Sequence, residues 1–426
     1  MDLQSLYTKY LECSAPVIDS REVTKNCMFF ALRGENFNGN RFAADALEKG
    51  ARYAVVDDPL FAGDNRFLLV EDTLKSMQEL ASVHRKNMPA RILAITGSNG
   101  KTTTKELIYR ILESEYPTLA TSKNYNNHIG VPLTLLHLKD HHQYAVVEMG
   151  ANHPGEIRFL CEIADPDFGI ITNIGKAHLE GFGSFQGVIH AKNELYEHIC
   201  SREGTIFYNS DNTMLKDLLK NTNCHTYDYG TSPQAYCSGI ITRRTPFLEI
   251  QAEEVTLKTR LMGDYNFENL MAAICVAKHT GVPMDKLRRT IDNFTPDNNR
   301  SQIFHTQNNE ILLDAYNANP TSMKAALENF SRLERENKFF ILGDMFELGN
   351  YSQEEHHNII EMLKNMGLKN VLLVGPHFCK QATPDMMAFS QTKSLIKWLK
   401  THPIQNSSVL IKGSRGMELE KIVELL

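Results

Sequence analysis

Residues 95–104 read ITGSNGKTTT, and the reading of this decapeptide decides the fold. Gly100, Lys101 and Thr102 look like the end of a phosphate-binding loop, whose usual pattern places a glycine five residues before Gly-Lys-Ser/Thr. That pattern wants glycine at position 95, where Ile95 stands. The loop is therefore a shortened variant, opening at Gly97 and closing on three threonines. The preceding RILAIT is an apolar run of strand length. The following KELIYRILESE places Leu107, Ile108, Ile111 and Leu112 on one helical stripe. Strand, glycine turn and helix come in the order a phosphate site requires. Main-chain N–H groups at the helix start point at phosphate oxygens, a lysine offsets their charge, and a hydroxyl reaches magnesium. Gly97, Ser98, Asn99, Gly100, Lys101, Thr102 and Thr103 are accordingly the expected nucleotide contacts.

Two further strands, YAVVEMG and DFGIITNIG, end in polar residues, as strands do where a parallel α/β sheet opens onto a site. Glu148 follows the first and His178 the second. Each alone also fits an ordinary loop residue; their shared position after apolar strands makes them candidate magnesium ligands. PFLEIQAEEVTLKTRLMG alternates apolar with polar residues and predicts an antiparallel ribbon added to the same sheet.

Towards the N-terminus, CMFFAL, YAVVDD and RFLLVED read as buried strands. LKSMQELASVHRK has helical spacing of Leu74, Met77, Leu80 and Ala81. Towards the C-terminus, EILLDAY, KFFILGD, NVLLVG and SSVLIKGSR alternate with helical segments, giving a wound parallel sheet without the G-x-G-x-x-G turn of dinucleotide binders. The expected fold is α/β in three domains: 1–89 a small α/β domain, 90–298 a phosphate-loop ATPase-like domain, and 299–426 a Rossmann-like domain.

A length of 426 residues fits this division, at about 100 to 200 residues per domain. A net charge of −6 without long basic runs argues against nucleic acid or a membrane surface as the main partner. The eight cysteines are scattered without a C-x-x-C pair and read as reduced packing residues. No apolar run approaches membrane-spanning length, and the N-terminus lacks the pattern of a signal peptide, so a cytoplasmic location is expected.

TGSNGKTTTKE, NYNNHIGVPLTLL, VVEMGANHPGEI, TNIGKAHLEGFGS, GDYNFENLMAA, DAYNANPTSM, LGDMFELG and IKGSR follow one another along the chain. Together with DSREVTKNCMFFALRGENFNGNRFAADALEKGA at the front, they resemble the Mur ligase family over nearly the whole length. YNANP and LGDMFELG are most similar to the family members that add D-alanyl-D-alanine to UDP-N-acetylmuramoyl-tripeptide. The resemblance implies that ATP activates the peptide carboxylate as an acyl phosphate, which the dipeptide amine then attacks; a monomer is expected, although no segment of the chain encodes the oligomeric state. It implies two Mg2+ ions, with Thr102 and Glu148 at one and His178 with a carbamylated Lys192 at the other. Without it, Lys192 reads as a solvated helix lysine. Lys101, Lys192 and His178 become the catalytic set. The resemblance places Asn266 and Asn269 at the adenine, Arg300 at the nucleotide phosphates, Asp314 at the ribose and Asn317 near the nucleotide. It assigns the front domain to the uridine diphosphate end, with Ser20, Arg21 and Asn40 as candidates, Arg21 serving equally as a salt-bridge partner. Thr121, Asn124 and Asn127 fall on the muramyl-peptide side. Lys412 and Arg415 face the cleft and suit a dipeptide carboxylate, a cap or a phosphate. A phosphate-loop switch or motor leaves the outer two domains unexplained, and a silent nucleotide-sugar binder leaves the intact Lys101, Glu148, His178 and Lys192 without purpose.

Overall fold

The computed structural model describes residues 1–296 and 302–426; Arg300 lies outside them. Three parallel or mostly parallel sheets follow in chain order. The first has four parallel strands in the order Pro16–Val17, Met28–Phe30, Tyr53–Val56 and Phe67–Leu69. It is followed by the helix Thr73–Asn87, whose buried face is Thr73, Met77, Leu80, Ala81 and His84. Leu74, expected on that face, is only half-buried, and His84 extends the stripe instead. Asp72 caps this helix by accepting the Lys75 N–H.

The central sheet has nine strands. Five of them, Thr205–Asn209, Phe168–Ile171, Arg91–Thr96, Tyr144–Glu148 and Thr118–Ala120, run parallel as neighbours in that order. His225–Gly230 and Cys237–Arg243 continue the sheet in parallel, and Glu249–Ala252 and Val255–Lys258 close it as the antiparallel ribbon. Arg91–Thr96 is buried on both faces, as a central parallel strand must be, and its alternate residues divide between two cores. Leu93 and Ile95 pack with Leu107, Ile108 and Ile111 of the helix Lys101–Glu113 and with Leu270 and Ile274 of the helix Tyr265–Thr280. Ile92 and Ala94 face the opposite core with Leu160, Leu195 and Ile199. Each such aliphatic side chain contributes about 1.5–3 kcal/mol by leaving water, so the strand is fixed in depth and register from both sides.

The third sheet orders Gln302–His305, Asn309–Asp314, Ser407–Lys412, Lys338–Gly343, Val371–Val374 and Met387–Phe389, all parallel except the first pair. Ser407–Lys412 is buried at every position. Among the described residues no helix is long and apolar enough to cross a membrane. Cys200 and Cys224 are joined, which corrects the expectation of eight reduced thiols. The fold brings the end of the helix Phe185–Ser201 beside the start of His225–Gly230, a proximity that a spacing of 24 residues does not announce. The other six cysteines are free.

Candidate active site

Chain order explains where the site forms. From Arg91–Thr96 the chain runs to the Thr118–Ala120 edge, returns to Tyr144–Glu148 on one side of its start, and then crosses to Phe168–Ile171 on the other. The carboxyl ends of these three adjacent strands splay their loops apart and leave a crevice, the usual ligand position in open α/β sheets. A cavity of about 710 Å3 opens there, bounded on its far side by Asp314, Tyr316, Asn317 and Asn319 of the third domain.

Two glycines shape the phosphate loop. Gly100 has φ +79, and a Cβ there would stand 2.4 Å from Asn269 Oδ1; at Gly97, φ +141, a Cβ would stand 2.0 Å from Thr172 Oγ1. Only glycine meets both demands. Asn173, which sequence reasoning passed over, fixes the turn: its carbonyl accepts the Ser98 N–H at 2.9 Å and its Oδ1 the Asn99 N–H at 3.0 Å. Ser98 Oγ donates to the Gly175 carbonyl at 3.0 Å. The helix starting at Lys101 has no side-chain cap, so its first turn presents main-chain N–H groups and the positive end of the helix dipole at the loop that lines the cavity. Lys101 Nζ donates to the Gly97 carbonyl at 2.6 Å, folded back along the loop.

Thr102 Oγ1 donates to Glu148 Oε2 at 2.9 Å, and Asn126 Nδ2 to Glu148 Oε1 at 2.8 Å. Pairing of Ile95 with Glu148 across adjacent strands brings the carboxylate level with the loop. Asn126 was missed although it lies within the quoted NYNNH; its role needs the fold, because only the fold puts that loop beside Glu148. Among the described residues no three His, Cys, Asp or Glu side chains converge as a ready metal cage. A hydroxyl and one carboxylate side by side nevertheless suit Mg2+, which keeps waters and binds substrate phosphates.

His178 lines the same cavity. Its Nδ1 stands 2.6 Å from Glu347 Oε2 of the third domain. The two atoms are in close contact, although the alignment falls outside a directed hydrogen bond. The contact with His178 holds the Glu347 carboxyl below the usual glutamate range. Phe182 packs edge-on to His178, with centroids 6.4 Å apart, and presents its ring 5.4 Å from Lys192 Nζ. Lys192 is 1% exposed, which overturns the solvated-lysine reading, and it forms no ion pair among the described residues. Burial, followed by the charge of Lys101, brings its pKa down to about 7. A neutral amine at that pH is the form that reacts with carbon dioxide.

Asn266 and Asn269 also line the cavity, but their amides bond inward. Asn266 donates to the Met262 carbonyl at 2.7 Å, and Asn269 bridges Thr104 at 3.0 Å and Asn266 at 2.9 Å. Thr103 lines the cavity beside them. From the third domain, Asn319 exchanges an amide hydrogen bond with Asn99 at 2.8 Å, closing that domain directly onto the loop. Lys412 is buried with Nζ 2.5 Å from Asp314 Oδ2, a cross-strand pair set by the register of Asp314 with Lys412. It therefore reaches the cleft as the anchor of Asp314. Arg415 stacks over Tyr316 at 5.4 Å, and the Asn317 side chain accepts the Ala318 N–H at 2.9 Å.

The expected sugar-nucleotide contacts divide. Asn40 is 1% exposed and bonds Asn38 and Asp57, so it shapes its turn. Thr121 is buried too: its Oγ1 accepts the Glu148 N–H at 2.9 Å and its carbonyl takes the buried Lys105 ammonium at 2.7 Å. Asn127 caps the helix Gly130–Leu135 through the Ile129 and Gly130 N–H groups. Asn124 is exposed, as is Arg21, which pairs with Asp19 at 2.6 Å; the Ser20 carbonyl accepts from Lys49. Lys123 and Glu22, 3.0 Å apart, tie the loop of Asn124 to the segment of Ser20 and Arg21. Asn127 alone of these candidates lines the cavity, beside Asn126 and Glu148.

Three family descriptions match the chain: "Mur ligase family, catalytic domain" over residues 17–90, "Mur ligase middle domain" over 95–277, and "Mur ligase, glutamate ligase domain" over 299–415. The UDP-N-acetylmuramoyl-tripeptide–D-alanyl-D-alanine ligase of Bacillus subtilis is 32% identical, over 95% of this chain and 91% of that protein. That of Escherichia coli is 34% identical, over 97% and 93%. Among solved structures, MurF from Acinetobacter baumannii superposes with a TM-score of 0.86 at 29% identity, covering 99% of this chain and 97% of that one. MurF ligase from Thermotoga maritima in complex with ADP gives 0.85 at 27% identity, covering 98% and 97%.

Proposed function

Because the chain belongs to the Mur ligase family, we propose that it is the ATP-dependent ligase joining D-alanyl-D-alanine to UDP-N-acetylmuramoyl-tripeptide, with release of ADP and phosphate. The observation that carries this reading is a single cavity in which the phosphate loop meets Glu148, His178 and the Asp314–Asn319 loop of the third domain. Domain roles follow: 1–89 holds the uridine diphosphate end, 90–298 the ATP, and 299–426 closes over the nucleotide and admits the dipeptide. The enzyme acts as a cytoplasmic monomer in the synthesis of peptidoglycan precursors.

Two negative reactants, the tripeptide carboxylate and the γ-phosphate, must meet, and positive charge fixed in advance makes that possible. Lys101 leaves the Gly97 carbonyl for the β- and γ-phosphates, while the open N–H groups of its helix hold the phosphate oxygens. A carboxylate oxygen then bonds to the γ-phosphorus, the bond to the β-phosphate oxygen breaks, and ADP departs. The neutral amine of the dipeptide attacks the acyl carbon, expelling phosphate. Thr102 and Glu148 would hold one Mg2+ and His178 with a carbamylated Lys192 a second, and such ions would neutralise charge on the transferring phosphoryl group. Asn269, held by Asn266 and Thr104, supports the loop through Gly100 on the adenine side of the cavity, and Asp314, held by Lys412, meets the ribose.

The test is ADP release measured with UDP-N-acetylmuramoyl-tripeptide, with and without D-alanyl-D-alanine. Sustained release is expected only with both acceptors, because the acyl phosphate must be shielded from water until the amine arrives. Strong ATP hydrolysis with neither acceptor present would point to a switch or motor instead.

A further inference from the structure

The turn after Phe168–Ile171 carries His178, and the third domain grips that turn at several points. Thr321 Oγ1 accepts the Lys176 N–H at 3.2 Å, and the Glu347 carbonyl accepts the Glu180 N–H at 3.2 Å. The Glu347 side chain does something different. Its Oε2 stands 2.6 Å from His178 Nδ1, an atom enclosed by protein, in a contact set by charge and proximity and not by a directed hydrogen bond. Both residues hold left-handed backbone angles, φ +52 at His178 and φ +62 at Glu347. Such angles are unfavourable for a non-glycine residue and persist only where the surroundings enforce them. Two strained residues from different domains therefore meet at one carboxylate–imidazole contact.

The third domain delivers Glu347 from a rigid turn. Asp344, fully buried, accepts the His377 and Phe378 N–H groups at 2.9 Å each. The Met345 N–H donates to His356 Nε2 at 3.1 Å, and the Phe346 N–H to Ser414 Oγ at 2.9 Å. His356 is held in turn by its Nδ1 on the Ser352 carbonyl at 2.7 Å. Asp344, Met345 and Phe346 are thus pinned, which fixes the backbone from which the half-exposed Glu347 side chain reaches His178.

We propose that Glu347 is a positioning residue for His178: by sitting on Nδ1 it fixes the ring and leaves Nε2 as the free donor at the cavity, so docking of the third domain completes the metal-binding histidine. This rests on the reading of His178 as a metal-facing group. A carboxylate at one ring nitrogen selects the tautomer with the proton on that nitrogen and makes the other a better ligand.

Two measurements on the full chain test it. Long-range 15N–1H spectra of 15N-histidine protein without metal, with His178 assigned by its loss in His178→Gln, report the tautomer. Mn2+ titrated in the presence of ADP and followed by electron paramagnetic resonance reports the metal site. Wild type should show the Nδ1–H tautomer. Glu347→Ala should shift His178 towards Nε2–H and weaken Mn2+ binding about 10–100-fold. Glu347→Gln, whose amide oxygen still accepts, should keep the tautomer and lose less affinity. If the alanine variant does not fold, Glu347→Asp, with its carboxylate withdrawn by one methylene, carries the same expectation. An unchanged tautomer with Mn2+ affinity within twofold of wild type would overturn the proposal. Wild-type protein that binds no Mn2+ with ADP would defeat the metal reading, and the metal-free spectra would still decide what Glu347 does to the ring.

Discussion

At the scale of single residues, the two lysines of the site do opposite work. In the proposed mechanism Lys101 stays charged, whereas Lys192 loses its proton to become a carbamate. Lys101→Ala is expected to lower turnover at least about 100-fold, since one preorganised charge on a transferring phosphate is commonly worth about 3 kcal/mol. The ammonium bonds the Gly97 and Ser98 carbonyls of its own loop; near-normal turnover would remove the loop from the mechanism. Lys192→Arg should fail equally, because guanidinium stays protonated and cannot form a carbamate, and full activity of that variant in carbon-dioxide-free buffer would end the carbamate assignment. The pH dependence carries a definite sign. The Lys192 pKa is about 7 in the fold against an ordinary 10.5, so between those values the unfolded chain binds more protons than the folded one. Stability from this group therefore rises with pH across that window, and its full penalty applies below about pH 7. Lys192→Met should raise the melting temperature more at pH 6 than at pH 9; an equal shift at both would mean the amine is not depressed by burial.

At the scale of elements, the phosphate loop is a strand-to-helix joint whose conformation is set by two glycines and buttressed by the neighbouring helix. Gly100→Ala is expected to cost about 1–2 kcal/mol from the left-handed angle alone, and more from the approach to Asn269. Adding Asn269→Ala should relieve the collision and leave the angular cost, so denaturant midpoints of the single and double variants separate the two. A Gly100→Ala protein as stable as wild type would contradict the geometry of the joint. The loop that follows Phe168–Ile171 is the matching element on the other side, since it supplies Asn173 to the phosphate loop and His178 to the cavity.

At the scale of the molecule, the third domain already rests on the second through Asn99–Asn319, His178–Glu347 and Lys176–Glu355, the last 2.6 Å long with Glu355 5% exposed on its side chain. Productive geometry still requires the sugar-nucleotide side to close on the ATP side, so the radius of gyration from small-angle scattering should fall when an ATP analogue and the sugar-peptide are both bound. Lys176→Met removes a cation from a buried carboxylate and should weaken docking by about 1–2 kcal/mol, less than a fully buried pair because the lysine is half exposed. Its unliganded particle should be larger than wild type and return to the same size with both ligands. Identical scattering from the two unliganded proteins would show that this ion pair does not hold the domains.

The features legible in the chain are local or periodic. RILAIT and SSVLIK could be read as buried strands because a central parallel strand must be apolar on both faces, and the phosphate loop because its glycines precede a helical stripe. The antiparallel ribbon was legible for the same reason, since its alternation has the period of a half-exposed strand. Tertiary structure alone decided which polar groups meet. Lys192 reads as solvated because burial depends on what packs above it, and here Phe182 and the far core cover it. Asn40 and Thr121 carry the composition of contact residues, yet Asp57 and Glu148, brought close by other strands, take up their hydrogen bonds. Glu347 lies 169 positions from His178 in a motif that was quoted without a role, because a contact between domains leaves no spacing in the chain to read. The Cys200–Cys224 pairing escaped for that reason as well: strand order, not sequence interval, sets which ends of the sheet become neighbours.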